Sequence, residues 1–325
     1  MSKTPSTWWP LIKLLPVKTN FRFMRFAKVY AGVSLVATIA AVFLTLFPFE
    51  PPCAGLNCGV DFRGGTVLEI TSRQPIDLGR VRETLNARQL GDVQVQAFGS
   101  PQDALVRFET PEGQNPAVTV EGAKRALVAA IGPLEFKRTE VVGPKVSGEL
   151  FRNGVLALAL GVGMMMVYIW FRFGLTFGIG AAAALIHDVL LTFGLFAVTN
   201  MEFSLNTVAA ILTIIGYSVN DTVVVLDRVR ENLRKYKRMP LSEVIDLSIN
   251  ETLSRTAITG VTGLMALGVL AAFGGETLFG FSIAMIFGIV VGTYSSFFVA
   301  AVVLMWLGVK RGEDAEVLKP LDARP

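Results

Sequence analysis

The stretch Ile211-Leu-Thr-Ile-Ile-Gly-Tyr-Ser-Val-Asn-Asp-Thr-Val-Val-Val-Leu226 is apolar enough for the interior of a membrane, yet Asn220 and Asp221 stand inside it. An ionised carboxylate in hydrocarbon costs several kcal/mol, so such a residue faces a bundle interior, a partner or a proton path. The stretch predicts a membrane helix that does more than anchor. Two readings of Asp221 stand side by side: a titratable carrier, or a structural hydrogen-bond anchor between helices.

The rest of the chain agrees with a membrane setting. Apolar residues make up 52% of it, charged residues 17%, and mean hydropathy is +0.54, values typical of membrane proteins. Six apolar runs are long enough to cross a hydrocarbon core of about 30 Å: 29–47, 155–171, 175–198, 203–226, 257–273 and 279–307. The fifth is short and could begin deeper in the preceding loop. The first is long and is followed by Phe47-Pro-Phe-Glu-Pro-Pro52 rather than a small-residue cleavage site, so it reads as a retained span. The expected order is a basic arm (1–28), span one (29–48), a soluble domain (49–150), spans two to four (151–226), a basic loop with an amphipathic helix (227–256), spans five and six (257–308) and a tail (309–325).

Lys and Arg positions set the expected orientation. The arm carries Lys3, Lys13, Lys18, Arg22, Arg25 and Lys28; the loop after span four carries Arg228, Arg230, Arg234, Lys235, Lys237 and Arg238; the tail opens with Lys310 and Arg311. Arg172 marks a turn on the same side. The positive-inside rule then places both termini in the cytoplasm. Residues 50–150 hold 11 basic and 13 acidic groups, so the net charge of +4 resides in the cytoplasmic parts. That balance reads as topology and contact with membrane lipids, not as nucleic-acid binding. The Trp8-Trp9-Pro10 arm, with aromatics among basics, reads as a membrane-surface segment.

The soluble domain reads β-α-β-β-α-β, the ferredoxin-like order. Strands are expected at 66–71, 92–97, 104–109 and 134–142, with a turn at Gly99-Ser100-Pro101. Helices are expected from the Asp77 cap to about Leu90 and over 117–131. Residues 144–153 read as a short connector back to the membrane, and the amphipathic helix is expected over 240–253, capped near Ser242.

Chemistry-bearing residues are few. Cys53 and Cys58 fall on the outer, oxidising side, where a disulfide and a pair of free thiols are both open readings. With a single His and no other Cys, no metal site is expected, and no cofactor. No Gly-x4-Gly-Lys-Ser/Thr occurs, so ATP is not the expected energy source and the chain is not expected to be an enzyme. On span four, Asn206, Thr213, Tyr217 and Asp221 fall on one helical stripe. Asn220 and Thr222 flank the carboxylate. Asp221 lies six residues inside Asp227, roughly 9 Å along a helix, and Arg255 at the mouth of span five is the nearest expected counter-charge or, alternatively, a snorkelling anchor. His187 and Asp188 on span three form a second ionisable cluster, expected nearer the outer half: a proton relay, or a buried structural pair. Gly288-x3-Gly292 followed by Ser295 and Ser296 reads as a small-residue packing seam.

Four ordered segments carry a resemblance: Gly59-Val-Asp-Phe-Arg-Gly-Gly-Thr66, Gly216 through Glu231, Glu251-Thr-Leu-Ser-Arg-Thr256 and Phe273-Gly-Gly-Glu-Thr-Leu-Phe-Gly-Phe-Ser282. With the six spans and the early soluble domain, the chain resembles the SecF family, the smaller partners of SecD in bacterial protein export and relatives of the resistance-nodulation-division (RND) transporters. The resemblance implies an RND-like, all-α six-helix membrane bundle with one α+β ferredoxin-like extracytoplasmic domain between spans one and two. It implies a multi-pass protein of the bacterial inner membrane that uses the proton-motive force in secretion. Asp221 would be the proton-coupling carboxylate and Arg255 its basic companion; the carboxylate alone suits H⁺ or Na⁺. Implied partners are a SecD-like subunit, the SecY-type channel complex, YajC, unfolded secretory proteins and membrane lipids. Cys58 departs from the aliphatic residue expected before Gly59, so the family gives the disulfide no support. A half-transporter for lipids or drugs is the alternative from another class, and a passive scaffold a third.

Overall fold

The computed structural model describes residues 19–49, 53–91, 93–109 and 114–309. The calls on the Trp8-Trp9-Pro10 arm, on Lys3, Lys13 and Lys18, and on the tail at Lys310 and Arg311 lie outside them. The described residues divide into two compact units: a helical unit within 19–47, 158–199 and 209–309, and an α+β unit within 48–157 and 200–208.

In the α+β unit a short helix α2 (Val60–Arg63) precedes β1 (Gly65–Ser72). Then come α3 (Leu78–Asn86), β2 (Gln94–Phe98), β3 (Ser100–Phe108), α4 (Pro116–Ile131) and β4 (Leu134–Val142). The sheet is antiparallel throughout, in the order β2-β3-β1-β4. One face carries the core: Leu68, Ile70, Ala104 and Val106 meet Val81 and Leu85 from α3 and Val120, Ala123 and Leu127 from α4. Each fully buried aliphatic side chain contributes about 1.5–3 kcal/mol relative to exposure. Asp77 caps α3 by accepting from Gly79 N and Arg80 N, and Asn115 caps α4 by accepting from Ala117 N.

The Gly64-Gly65 pair is a backbone requirement. Both residues have φ in the left-handed region, +77° and +107°, and a Cβ on Gly65 would stand 2.9 Å from the Phe108 carbonyl oxygen. A side chain there would be strained and would push β1 away from β3.

Several boundaries differ from expectation. β3 starts at Ser100, so the hairpin turns at Gly99 (φ +74°) alone and Ser100 and Pro101 belong to the strand. α3 stops at Asn86, short of Leu90. The expected connector 144–153 is the opening of α5 (Pro144–Phe173), where Pro144 takes the first helical position, at which its missing N–H costs nothing.

The membrane helices are α1 (Ala27–Leu46), entered through a 3-10 turn at Phe23–Phe26, then α5, α6 (Leu175–Thr199), α7 (Leu205–Lys235), α8 (Leu241–Phe273) and α9 (Gly275–Ser295). α9 continues through a π-turn at Ser296–Ala300 into α10 (Ala301–Leu307). Among the described residues, six helical spans are long and apolar enough to cross a membrane. The expected loop 227–256 is almost wholly helical. α7 and α8 extend past their apolar stretches because their polar ends bind one another. Arg228 Nε donates to Glu251 Oε2 (2.7 Å), and Asn232 Nδ2 donates to Ser248 Oγ (3.0 Å) and to Glu251 Oε2 (2.7 Å). Pro240 occupies the N-cap position of α8 with no side-chain cap, and Ser242 lies inside the first turn, so it is not the cap.

Candidate functional site

Within the helical unit, α6, α7 and α9 converge on Asp188. This residue is 1% exposed. Its Oδ2 accepts from Ser218 Oγ on α7 (2.5 Å) and from Ser295 Oγ on α9 (2.8 Å), and its Oδ1 lies 3.0 Å from His187 Nδ1. About one turn further along α7, Thr222 Oγ1 and Ser296 Oγ share a hydrogen bond of 2.8 Å. Two adjacent serines on α9 and its π-turn thus serve two different helices.

Small residues make this convergence possible. A Cβ on Gly292 would stand 3.0 Å from Ser218 Cβ, and one on Gly288 would overlap the Ile214 side chain. Only without those carbons can α9 approach α7 closely enough for serine hydroxyls to reach across. Opposite, a Cβ on Gly180 of α6 would meet the Ala300 carbonyl oxygen of the π-turn at 2.9 Å. Single π-turns recur at functional positions of helices. The seam read from sequence as packing alone therefore also builds the polar site.

Asp221 lies three residues beyond Ser218 on α7. It is 3% exposed, and its Oδ2 is buried without a hydrogen-bond partner among the described residues. Leaving a buried polar atom unsatisfied costs about 1–3 kcal/mol, more for a charged group.

Arg255 is not the counter-charge expected beside it. Arg255 is exposed on α8, and among the described residues Asp221 makes no ion pair. The reason is helical phase: the next residue, Thr256, is the one that turns inward, at 1% exposure. Asn220 is also exposed, Tyr217 is half-buried and Thr222 is buried. Thr213 and Asn220 on α7, with Arg255 and Thr262 on α8, are polar side chains left exposed among the described residues. Asp188 meets α7 at Ser218, displaced toward its N-terminus from Asp221.

Ser218, Ser295 and Ser296 were not singled out as polar site residues on α7 and α9. The available signal was the Ser295-Ser296 pair one turn after Gly292, but serine is common in membrane helices and depth across helices cannot be read from one chain's spacing. Among the described residues no group of three His, Cys, Asp or Glu side chains could hold a metal ion.

In the α+β unit Cys53 and Cys58 form a disulfide with Cα atoms 6.1 Å apart.

The family described as protein export membrane protein SecD/SecF, C-terminal, matches residues 123–310, and the SecD/SecF GG motif matches residues 54–76. Curated relatives share this character along nearly their whole length. Protein translocase subunit SecF of Cereibacter sphaeroides is 46% identical, with 93% of this chain and 94% of the relative covered. That of Rhodobacter capsulatus is 45% identical, with 93% of each covered. The chain belongs to the SecF family of protein translocase subunits. SecF-family identity makes it a multi-pass bacterial membrane protein and sets aside the half-transporter reading. The structure is similar to the crystal structure of SecDF, a translocon-associated membrane protein from Thermus thermophilus, at TM-score 0.77 and 32% identity over 90% of this chain. It is also similar to SecDF in its super-membrane-facing form, at TM-score 0.64 and 33% identity over 94% of this chain. This SecF-family chain spans 39% and 41% of those two SecDF chains.

Proposed function

We propose that the chain uses the proton-motive force to promote export of secretory proteins across the cytoplasmic membrane, with Asp221 taking up and releasing the coupling proton. The observation that carries this reading is the buried Asp221 carboxylate, whose Oδ2 has no partner among the described residues. Moving one charge through 100 mV yields about 2.3 kcal/mol, comparable to the gap between two states of a switching element. Tyr217, Asn220 and Thr222 give polar support around it, and the chain carries out no covalent chemistry and uses no cofactor.

Exposed Asn220 and Arg255 would be costly against lipid tails, whereas Thr213 and Thr262 beside them already donate to carbonyls of their own helices. A SecD-like subunit, corresponding to the part of the longer SecDF chains outside the matched region, would cover them, and Arg255 would then face a group of that partner. The SecY-type channel complex, YajC, unfolded secretory proteins and membrane lipids complete the proposed partners, following the family resemblance. The α+β unit is read as a ferredoxin-like domain on the outer side: its antiparallel β2-β3-β1-β4 order with both helices against one face supports that assignment. Both termini are assigned to the cytoplasm from the Lys and Arg distribution.

The test is translocation of a secretory precursor into inverted vesicles, with and without a proton gradient. Asp221→Asn is expected to assemble normally and to lose the gradient-dependent part. Full stimulation by that variant would leave Asp221 a structural residue.

A further inference from the structure

We propose that His187 and Asp188 form a second proton-binding station, distinct from Asp221, in which His187 Nε2 takes the proton and the Asp188 carboxylate holds it. The role of such a station in export rests on the proton-coupling reading; its proton binding can be measured separately.

The argument begins with hydrogen-bond bookkeeping. Asp188 has three neighbours able to donate to it: Ser218 and Ser295 at Oδ2 and His187 Nδ1 at Oδ1. Three such donors match the acceptor capacity of an ionised carboxylate, and with Asp188 in that form the imidazole places its own hydrogen on Nδ1. That leaves Nε2 as a bare lone pair. His187 is 5% exposed and Nε2 is buried without a partner among the described residues, an arrangement that a histidine serving only as packing would avoid. Adding one proton at Nε2 converts a carboxylate beside a neutral ring into a neutral ion pair. The net charge changes from −1 to 0, as protonation of Asp221 would do, and Ser218 ties the two places to one helix.

The surroundings add no competing charge. On α9, Tyr294 has its ring centre 6.1 Å from the imidazole and shares a hydrogen bond between its hydroxyl and Ser34 Oγ of α1. α1 carries Lys28 and Tyr30 in its first turns and no ionisable group beyond them; the π-turn and α10 carry none. On α7, Tyr217 and Asp221 are the ionisable residues nearest Ser218 along the helix, and the charged run from Asp227 to Lys235 lies beyond them.

The chain has one histidine, so ¹⁵N-histidine labelling of the full chain, purified through a tag free of histidine and placed in lipid bilayers, reports this ring alone by NMR. The expected result is an Nδ1-protonated neutral ring at about pH 9 that converts to imidazolium toward about pH 5. In Asp188→Asn the ratio of imidazolium to neutral ring at a given pH should fall about tenfold, equivalent to one pH unit. Asp188→Glu should restore most of it, and Asp221→Asn should leave the conversion in place. A ring fixed in one neutral form across the range overturns the proposal, as does conversion unchanged in Asp188→Asn or lost in Asp221→Asn. The wild-type ring is decisive by itself, so a variant that fails to fold does not remove the test. A fixed ring together with lost gradient stimulation in Asp221→Asn would reject this station and keep the proton-coupling reading. A converting ring with full stimulation in that variant would do the reverse.

Discussion

Asp61 Oδ2 accepts the backbone N–H of Leu205 at 2.9 Å and so caps α7, the helix that carries Asp221. The same segment, just ahead of the glycine pair, holds the α6–α7 connector at further points. Gly59 N–H donates to the Phe203 carbonyl (3.0 Å), Phe203 N–H donates to the Asn57 carbonyl (2.8 Å), and Arg107 on β3 pairs with Glu202 at 2.6 Å. Gly59 itself has no room for a Cβ beside the Glu202 carboxylate. The GG-motif region therefore has a second use besides opening β1: it fixes where α7 begins.

Replacing Asp61 by Ala removes that cap and should destabilise the first turn of α7 by about 1 kcal/mol, while Asn, a good capping residue, should retain most of the effect. Hydrogen exchange of the full chain, read at the backbone amides of the first turn of α7, measures this. Equal protection in wild type and Asp61→Ala would show that the other contacts hold the turn unaided.

Asp103 links three strands of the sheet. Its carboxylate accepts from the Thr71 hydroxyl across the β1–β3 register, from Ser100 Oγ (2.7 Å) and from Lys137 Nζ on β4 (3.0 Å). These donors, the Thr71 hydroxyl first, hold its pKa down at about 2. A carboxyl group depressed on folding contributes stability that is complete above its unfolded pKa of about 3.9 and is lost as pH falls through the folded value. Protection of β1 and β3 against hydrogen exchange should therefore weaken between about pH 4 and pH 2 by more in wild type than in Asp103→Asn. Identical acid profiles would remove Asp103 from the account.

Much of the α+β unit is legible because strands alternate. β1 was expected over 66–71 and runs from Gly65 to Ser72, and β4 alternates half-buried and exposed residues along its whole length. What could not be read is where helices end, since the ends of α7 and α8 are charged stretches kept helical by partners such as Arg228 and Glu251 on different helices. The site shows the same division. Asp221, His187 and Asp188 stand out because ionisable groups in apolar runs are rare. Ser218 and Ser295 do not, because their importance depends on how closely Gly292 lets two helices approach. The depth of Arg255 was readable from its distance along the chain, but the side of α8 on which it lies was not.

For the cysteines, alkylation of denatured but unreduced protein should leave Cys53 and Cys58 unlabelled, and reduction should expose two thiols. Denaturation is needed because both residues are buried, at 7% and 2% exposure, and free thiols so placed would also resist a reagent in the folded protein. Labelling without reductant would reject the bridge.

The separation of Asp221 from Arg255 makes an energetic prediction that a directly paired arrangement would not. In the isolated chain the two side chains share no contact, because Arg255 lies on the exposed side of α8 while Asp221 is buried. Thermal unfolding of Asp221→Asn, Arg255→Ala and the double variant should therefore be additive within about 0.5 kcal/mol. In vesicles that contain the whole export machinery the same cycle should behave differently. If both residues serve one coupling step there, each single variant loses gradient stimulation and the double variant is no worse than the more severe single one. Arg255→Lys then separates charge from geometry: an exposed positive charge that only meets headgroups tolerates Lys, whereas one that binds a partner's carboxylate through the planar guanidinium does not. An interaction energy of several kcal/mol in the isolated chain would mean that Arg255 reaches Asp221 directly, and the assignment of its ligand to a partner subunit would have to be withdrawn.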